Sequence, residues 1–261
     1  MENGPAWDGE TDVVIVGFGG AGVCAAIEAA DHGLHVLAIE RFQGGGATRM
    51  SGGVVYSGGG SKYQKRAGFD DTPENMFDYL QTEVKDAVTE ETLRAFCREG
   101  SDNLLWLETQ GVCFDSSFCP FKTSYPPSQY YLYYSGNESF PPYTTRAKPA
   151  PRGHRAKGKG LSGSAFFDAL RKTALRKGVE VRCQSTATRL IVSAASRVTG
   201  VETSSLPPGS PSALLHRFLN YAAYKLRYVA MVSPQLTSVF QWLFSILELR
   251  EIGRASCRER V

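Results

Sequence analysis

Gly17, Gly19 and Gly22 stand at the G-x-G-x-x-G spacing inside Asp12-Val13-Val14-Ile15-Val16-Gly17-Phe18-Gly19-Gly20-Ala21-Gly22, and Glu40 follows eighteen residues after the last of them. Residues of these types at this spacing can hold the pyrophosphate and ribose of a dinucleotide. The first glycine lets the chain turn sharply, the second lets the backbone approach a phosphate, and the third lets a helix pack on a strand. A helix starting near Gly20, through Ala21 and Gly22, aims its free N–H groups and positive dipole end at the pyrophosphate. Glu40 stands at about the distance expected of the acid that accepts from a ribose hydroxyl, with Arg41 beside it. A carboxylate here, rather than an arginine, disfavours a ribose 2′-phosphate. FAD or NAD fits; NADP fits poorly.

The elements that must position these groups are legible in order. Val13–Val16 is an unbroken β-branched run, which predicts a strand buried on both faces. The helix carries Ala21, Cys24, Ala25 and Ile27 as its apolar side, and Gly33 is placed to end it. Residues 35–39 make a second strand with Glu40 at its C-terminal end. A glycine-rich turn with no ligand is the plain alternative. Strand, glycines, helix, second strand and terminal acid within one short unit argue against it.

Residues 41–61 add Gly44-Gly45-Gly46-Ala47-Thr48-Arg49-Met50-Ser51-Gly52-Gly53 and then Gly58-Gly59-Gly60. Glycines interleaved with small hydroxyl residues give a backbone able to wrap closely around a ligand. A flexible linker is the alternative, and Val54, Val55 and Tyr56 count against it.

At 261 residues the chain can bury one large core or two modest ones. Charged residues make up 21% and the net charge is +3, an ordinary balance that suggests no nucleic-acid partner. Cys24, Cys97, Cys113, Cys119, Cys183 and Cys257 form no C-x-x-C and no Cys/His cluster, so they read as reduced thiols of a cytoplasmic protein. His32, His35, His154 and His216 have no metal-ligand spacing, and no metal is expected. Residues 1–11 are polar and acidic, without the apolar stretch of a secretory signal.

Further along, Thr72-Pro73 predicts a capped helix with Met76, Phe77 and Leu80 on its apolar side. A second helix starts near Thr89, carries Leu93, Phe96, Cys97, Leu104 and Leu107, and ends at Gly111. Residues 119–159 read as irregular and rich in proline and tyrosine, densest at Tyr125-Pro126-Pro127-Ser128-Gln129-Tyr130-Tyr131-Leu132-Tyr133-Tyr134. A long structureless segment inside a domain is usually functional or disordered, and this aromatic content argues against disorder. Surface packing of a long loop is the plainer reading for any one tyrosine. The basic run 146–159 reads as a solvated loop, or as side chains near cofactor phosphates. Ser162 or Ser164 caps a helix bearing Phe166, Phe167, Leu170 and Ala174, ended by Gly178. Strands follow at 179–182, 186–193 and 198–203, the last two forming a hairpin that returns to the first sheet.

Leu206-Pro207-Pro208-Gly209-Ser210-Pro211 marks a break. Beyond it Leu214, Leu215, Phe218, Leu219, Ala222 and Leu226 form an apolar stripe, and Ser233-Pro234 starts another helix. A helical hairpin packed on the protein is the simpler reading. Peripheral contact with a membrane surface through 213–249 is the sharper alternative, while proline, glutamines and hydroxyls count against a spanning helix. The final stretch, 251–261, has no apolar period. It resembles the translation of a widely used short-read sequencing adapter, which implies that the natural chain continues past Arg250.

On these residues the chain resembles the FAD-dependent oxidoreductase 2 family, which contains 3-ketosteroid Δ1-dehydrogenases, fumarate reductases and succinate dehydrogenase flavoprotein subunits. The resemblance runs over residues 12–202. Residues 45–53, a small hydroxyl-rich segment before Ser51-Gly52-Gly53, look most like the ketosteroid dehydrogenase branch. No histidine lies between Glu40 and Gly60, so the resemblance implies non-covalent FAD. It places the pyrophosphate over Gly17, Gly19, Gly20, Ala21 and Gly22, a ribose on Glu40, and the middle of the cofactor near Thr48, Ser51, Gly52 and Gly53. Residues 158–168 and 178–202 match the family's later FAD segment, with the backbone at Thr186 and Ala187 meeting the adenine.

The resemblance further implies dehydrogenation of a carbon–carbon bond beside a ketone, with a hydrophobic, steroid-like substrate. It gives a pocket tyrosine at Tyr131 or Tyr130. A fumarate-reductase-like enzyme reducing a double bond, or a non-catalytic FAD-binding fragment, are the competing readings. The expected fold is α/β: a Rossmann-like FAD-binding domain with a central parallel sheet and an added β-hairpin over 1–204, a helical insertion over 205–250, and the adapter-like tail over 251–261.

Overall fold

The computed structural model describes residues 7–232, 238, 239, 242, 245 and 255–260, the side chains of 227–232 and 255–260 excepted. In chain order the elements are β1 (Gly9–Glu10), β2 (Val13–Val16), α1 (Gly20–Asp31), β3 (Val36–Glu40), α2 (Gly46–Met50), β4 (Val54–Tyr56) and α3 (Lys62–Arg66). Then come α4 (Pro73–Val84), α5 (Glu90–Thr109), β5 (Leu132–Tyr133), a 3₁₀ turn (Tyr143–Thr145) and β6 (Gly153–Arg155). The remainder is α6 (Gly163–Arg176), β7 (Glu180–Cys183), β8 (Ser185–Val192), β9 (Val198–Ser205), α7 (Pro211–Val232) and β10 (Ala255–Arg260). The chain divides into two compact units, 1–46 with 174–261, and 47–173.

In the first unit β2, β3 and β7 form a parallel sheet in that order, with Val13 opposite Val36 and Ile39 opposite Arg182. All five residues of the central strand β3 are buried. β2 behaves differently from expectation: it is an edge strand, and Val16 is 61% exposed rather than buried on both faces. Its β-branched residues serve strand formation, while burial falls to its neighbour. Val23, Ala26 and Ile27 of α1 are buried, and Leu37, Ile39 and Val201 form a cluster with Val14 and Ala187 packed on it.

The hairpin β8–β9 forms as expected, turning where Ser193 accepts at its hydroxyl from Arg197 N–H and Ser196 takes a positive φ. It does not rejoin the first sheet. Only β7 does, and the hairpin builds a second sheet ordered β1-β10-β9-β8. Between β7 and β8, Gln184 adopts φ 56°, a left-handed corner that parts the two strands. β10 lies antiparallel to β9, from Ala255 opposite Ser205 to Arg260 opposite Gly200. Such pairing satisfies backbone groups whatever the side chains, because an open strand edge accepts any extended segment.

α7 buries Ala213, His216 and Ala223, whereas Leu214 and Phe218 of its apolar stripe, and Tyr221 beside them, are at least half exposed. Among the described residues, no helix is long and apolar enough to cross a membrane. Most of the second helix read from Ser233-Pro234 lies outside the described residues.

The second unit packs α4 on α5 around Met76, Phe77, Tyr79, Leu80, Leu93 and Cys97. Thr72 and Thr89 cap these helices through their side-chain oxygens, as expected. Phe96 turns away from the core and is 44% exposed. Residues 119–159 are irregular over most of their length, as expected, but two short strands, β5 and β6, interrupt them. β5 and β4 flank β6 in an antiparallel sheet, with Tyr56 and Tyr133 both opposite Gly153. These strands are too short to show an alternating pattern in sequence.

The basic run is also reassigned, since Arg152 and Arg155 are buried. Arg152 binds both oxygens of buried Asp71, at 3.0 and 2.8 Å. Arg155 donates to the carbonyls of Pro127 and Gly160 at 3.2 and 2.9 Å. A guanidinium has five donors, which lets one side chain gather several loop carbonyls.

Candidate cofactor site

In the first unit the strand β2 leads into the glycine turn and α1, as the sequence predicts. Gly17 N–H donates to Ile39 carbonyl at 2.8 Å, which ties the turn to the end of β3. A Cβ on Gly22 would run into the Gly17 carbonyl oxygen, so only glycine permits this approach of helix and turn. At Gly19 the reverse holds: the nearest atom to such a Cβ is Gly45 O, 3.9 Å away. Gly19 is the N-cap of α1 and supplies no side-chain hydrogen bond, and no acidic residue lies in the first turn. The positive end of the helix therefore keeps its attraction for an anion.

Glu40 is buried at the end of β3 and is held on both oxygens. Phe18 N–H donates to Oε2 and Phe42 N–H to Oε1, each at 2.8 Å. A carboxylate accepts about four hydrogen bonds, so acceptor capacity remains for a pair of ribose hydroxyls. Gly45 N–H donates to Phe18 carbonyl at 2.8 Å, which draws the second glycine segment against the first. Arg41 stacks its guanidinium on Phe42, 4.6 Å from the ring centroid. Ala187 lies at a bulge in β8, where the register with β9 shifts between Ala187 and Arg189. These donors, the open approach at Gly19 and the anchored carboxylate suit a dinucleotide pyrophosphate and its ribose.

In the second unit Thr48, Ser51, Gly52 and Gly53 are gathered against the start of α6. Gly53 has φ 63°, and a Cβ there would meet the Ser162 carbonyl carbon at 2.7 Å. Gly163 N–H donates to Ser51 carbonyl at 3.1 Å, and Ser162 Oγ donates to Gly52 carbonyl at 2.9 Å. Beside them lies a cleft of about 310 Å³ lined by Ala47, Thr48, Ser51, Gly53, Val54, Val55 and Phe166. The next glycines have another role. Gly58 and Gly60 pack against Asp71, so this run closes a core rather than wrapping a ligand.

Tyr125 is the residue that sequence reasoning passed over. Its hydroxyl lies 3.0 Å from both the Gly52 and Gly160 carbonyls and accepts from Ser162 N–H at 3.2 Å. Its ring occupies the space where a Gly52 Cβ would stand, at 2.5 Å. It clamps the glycine loop onto α6, and one tyrosine among many carried no signal of that.

Tyr131, offered as a pocket tyrosine, carries the Arg155 guanidinium at 5.2 Å and the Lys157 ammonium at 5.5 Å over its ring. Tyr130 packs edge-on against Phe121. Nearby, His154 is buried, its Nε2 2.8 Å from Ser61 Oγ. Burial pushes its pKa down to about 4. Burial alone would raise Asp71, but the hydrogen bonds and charge of Arg152, with Asn75 and Gln64, hold its carboxyl below the usual range.

With strand, glycine turn, helix dipole and anchored acid in place, the chain belongs to the FAD binding domain family, which matches residues 12–223, and its cofactor is FAD. It is 45% identical over 237 residues to a 3-oxo-5-alpha-steroid 4-dehydrogenase of Comamonas testosteroni, covering 89% of this chain and 44% of that protein. It is 32% identical over 155 residues to a 3-oxosteroid 1-dehydrogenase of Mycolicibacterium smegmatis, covering 59% of this chain and 26% of that protein. Among solved structures it resembles the 3-ketosteroid-delta4-(5alpha)-dehydrogenase of Rhodococcus jostii RHA1 in complex with 4-androstene-3,17-dione. There the TM-score is 0.75 at 37% identity, covering 78% of this chain and 44% of that one. The chain thus spans less than half the length of the relatives it matches.

Proposed function

We propose that this chain is the dinucleotide-holding part of an FAD-dependent oxidoreductase that dehydrogenates a carbon–carbon bond beside the ketone of a steroid-like substrate. The observation that carries this reading is the 45% identity to a 3-oxo-5-alpha-steroid 4-dehydrogenase across 89% of the chain. When bound, FAD supplies the acceptor for the two electrons of such a reaction. The chain's own residues bind and orient. The backbone from Gly17 through Gly20 and Ala21 to Gly22 takes the pyrophosphate, Glu40 accepts from a ribose, and Arg41 and Ala187 lie on the adenosine side. Thr48, Ser51, Gly52 and Gly53 belong to the same proposal, as the contacts for the middle of the cofactor. Tyr131, or Tyr130, is its candidate pocket tyrosine. With no histidine between Glu40 and Gly60 to attach to, the flavin is held non-covalently.

We further read 1–204 as the FAD-binding domain, 205–250 as a helical insertion and 251–261 as adapter-derived. The proposed setting is cytoplasmic, read from cysteines that form no C-x-x-C and no Cys/His cluster in the sequence. The exposed Leu214, Phe218 and Tyr221 give α7 a surface suited to peripheral membrane contact. Purified chain is assayed for flavin absorbance and for dye-linked dehydrogenation of a 3-ketosteroid. Flavin with turnover supports the whole reading. Flavin without turnover reduces it to a binding fragment, and absence of flavin overturns it. Genomic DNA past the Arg250 codon tests the tail: homologous coding sequence there supports an adapter origin, and a stop after Val261 refutes it.

A further inference from the structure

Gln184 occupies the left-handed corner between β7 and β8, a conformation that disfavours any residue with a Cβ. Its backbone groups and its side-chain nitrogen bind three segments of the first unit. Its N–H donates to Phe42 carbonyl at 3.1 Å, and its carbonyl accepts from Leu206 N–H at 3.0 Å. Its side-chain Nε2 donates to Ala213 carbonyl at 2.8 Å and lies 3.1 Å from His216 Nδ1. The His216 ring stacks on Phe42, with centroids 5.6 Å apart and planes 11° apart. Phe42 N–H in turn holds Glu40 Oε1 at 2.8 Å. The path from α7 to the carboxylate thus passes through two residues, both anchored in buried or half-buried surroundings.

We propose that Gln184 is a positioning residue for the cofactor: its side-chain amide docks α7 so that His216 stacks on Phe42, and this sets the orientation in which Glu40 meets the ribose. The inference rests on the reading of Gly17–Gly22 and Glu40 as the dinucleotide site. A strained conformation kept by a side chain that no glycine could replace in reach fits a positioning role. It gives α7 a part in cofactor binding although its exposed face takes none.

The test is titration of FAD into the purified chain, followed by quenching of flavin fluorescence, with melting temperatures of the apo-proteins measured alongside. The variants are Gln184→Gly, Gln184→Asn, Glu40→Gln and the double variant Glu40→Gln with Gln184→Gly. Glycine and asparagine both tolerate the left-handed corner, so they remove the reach of the amide without adding backbone strain. The expected result is a loss of FAD affinity of about tenfold in each Gln184 variant, the scale of one hydrogen bond. In the double variant, affinity equals that of Glu40→Gln alone, because the two residues act through one contact.

Unchanged affinity in the Gln184 variants overturns the proposal. So does a tenfold penalty that persists in full beside Glu40→Gln, or a collapse of melting temperature in both Gln184 variants. If the unaltered chain takes up no FAD, the cofactor reading fails and this inference falls with it. Uptake by the unaltered chain combined with any of the other three results sinks the inference alone.

Discussion

At the scale of single residues, the third glycine of the turn is the most exposed to test. A methyl at Gly22 meets the Gly17 carbonyl oxygen, a backbone atom that cannot swing aside as a flexible side chain can. Gly22→Ala is therefore expected to cost about 2–3 kcal/mol of stability, as overpacking does, and to abolish FAD uptake; thermal unfolding and flavin titration check both. His154 gives the pH dependence. Its pKa is about 4 when folded against 6.5 as a free side chain, so between these values the unfolded chain binds a proton that the folded one refuses. Stability is then full above pH 6.5 and falls as the pH drops towards 4, by up to roughly 3 kcal/mol. Denaturant midpoints across that range should fall in the native protein and flatten in His154→Gln. A midpoint that rises on acidification would contradict the assignment.

At the scale of elements, the glycine loop of the second unit is held by Tyr125 rather than by its own sequence. Tyr125→Phe keeps the ring under Gly52 but removes the hydroxyl that joins Gly52, Gly160 and Ser162. The expected loss is about 1–2 kcal/mol, from unsatisfied groups at the start of α6, read as a lower melting temperature; no change would mean that the ring alone sets the loop. Elements with strong local signals were legible: Val13–Val16, the helix at Gly20, and the helices capped by Thr72 and Thr89 all form where their residues place them. What escaped depends on non-local pairing. β5 and β6 have two and three residues, and β4, which pairs with β6, is far away in sequence, so no periodicity announces them. Arg152 and Arg155 read as a solvated run because burial of a guanidinium depends on Asp71 and on loop carbonyls.

At the scale of the whole molecule, the sequence identified what is held better than what is done with it. The fingerprint and Glu40 could be read together because one βαβ unit carries them, and the family match to residues 12–223 agrees. Catalytic groups are harder to read because they come from segments distant in sequence. The chain spans 44% of its steroid 4-dehydrogenase relative. Gln184 could not be found from spacing either: its role exists only once β7, β8, α7 and Phe42 meet. The proposed function rests on FAD binding through the Gly17–Gly22 backbone and Glu40. The most direct measurement is titration of the apo-protein with FAD and, separately, with FMN, which lacks the adenosine half. The expected result is saturable uptake of FAD that acid or heat releases as free flavin, weak or no uptake of FMN, and weakened FAD binding in Glu40→Gln. Equal affinity for FMN and FAD, or FAD binding indifferent to Glu40, would contradict it.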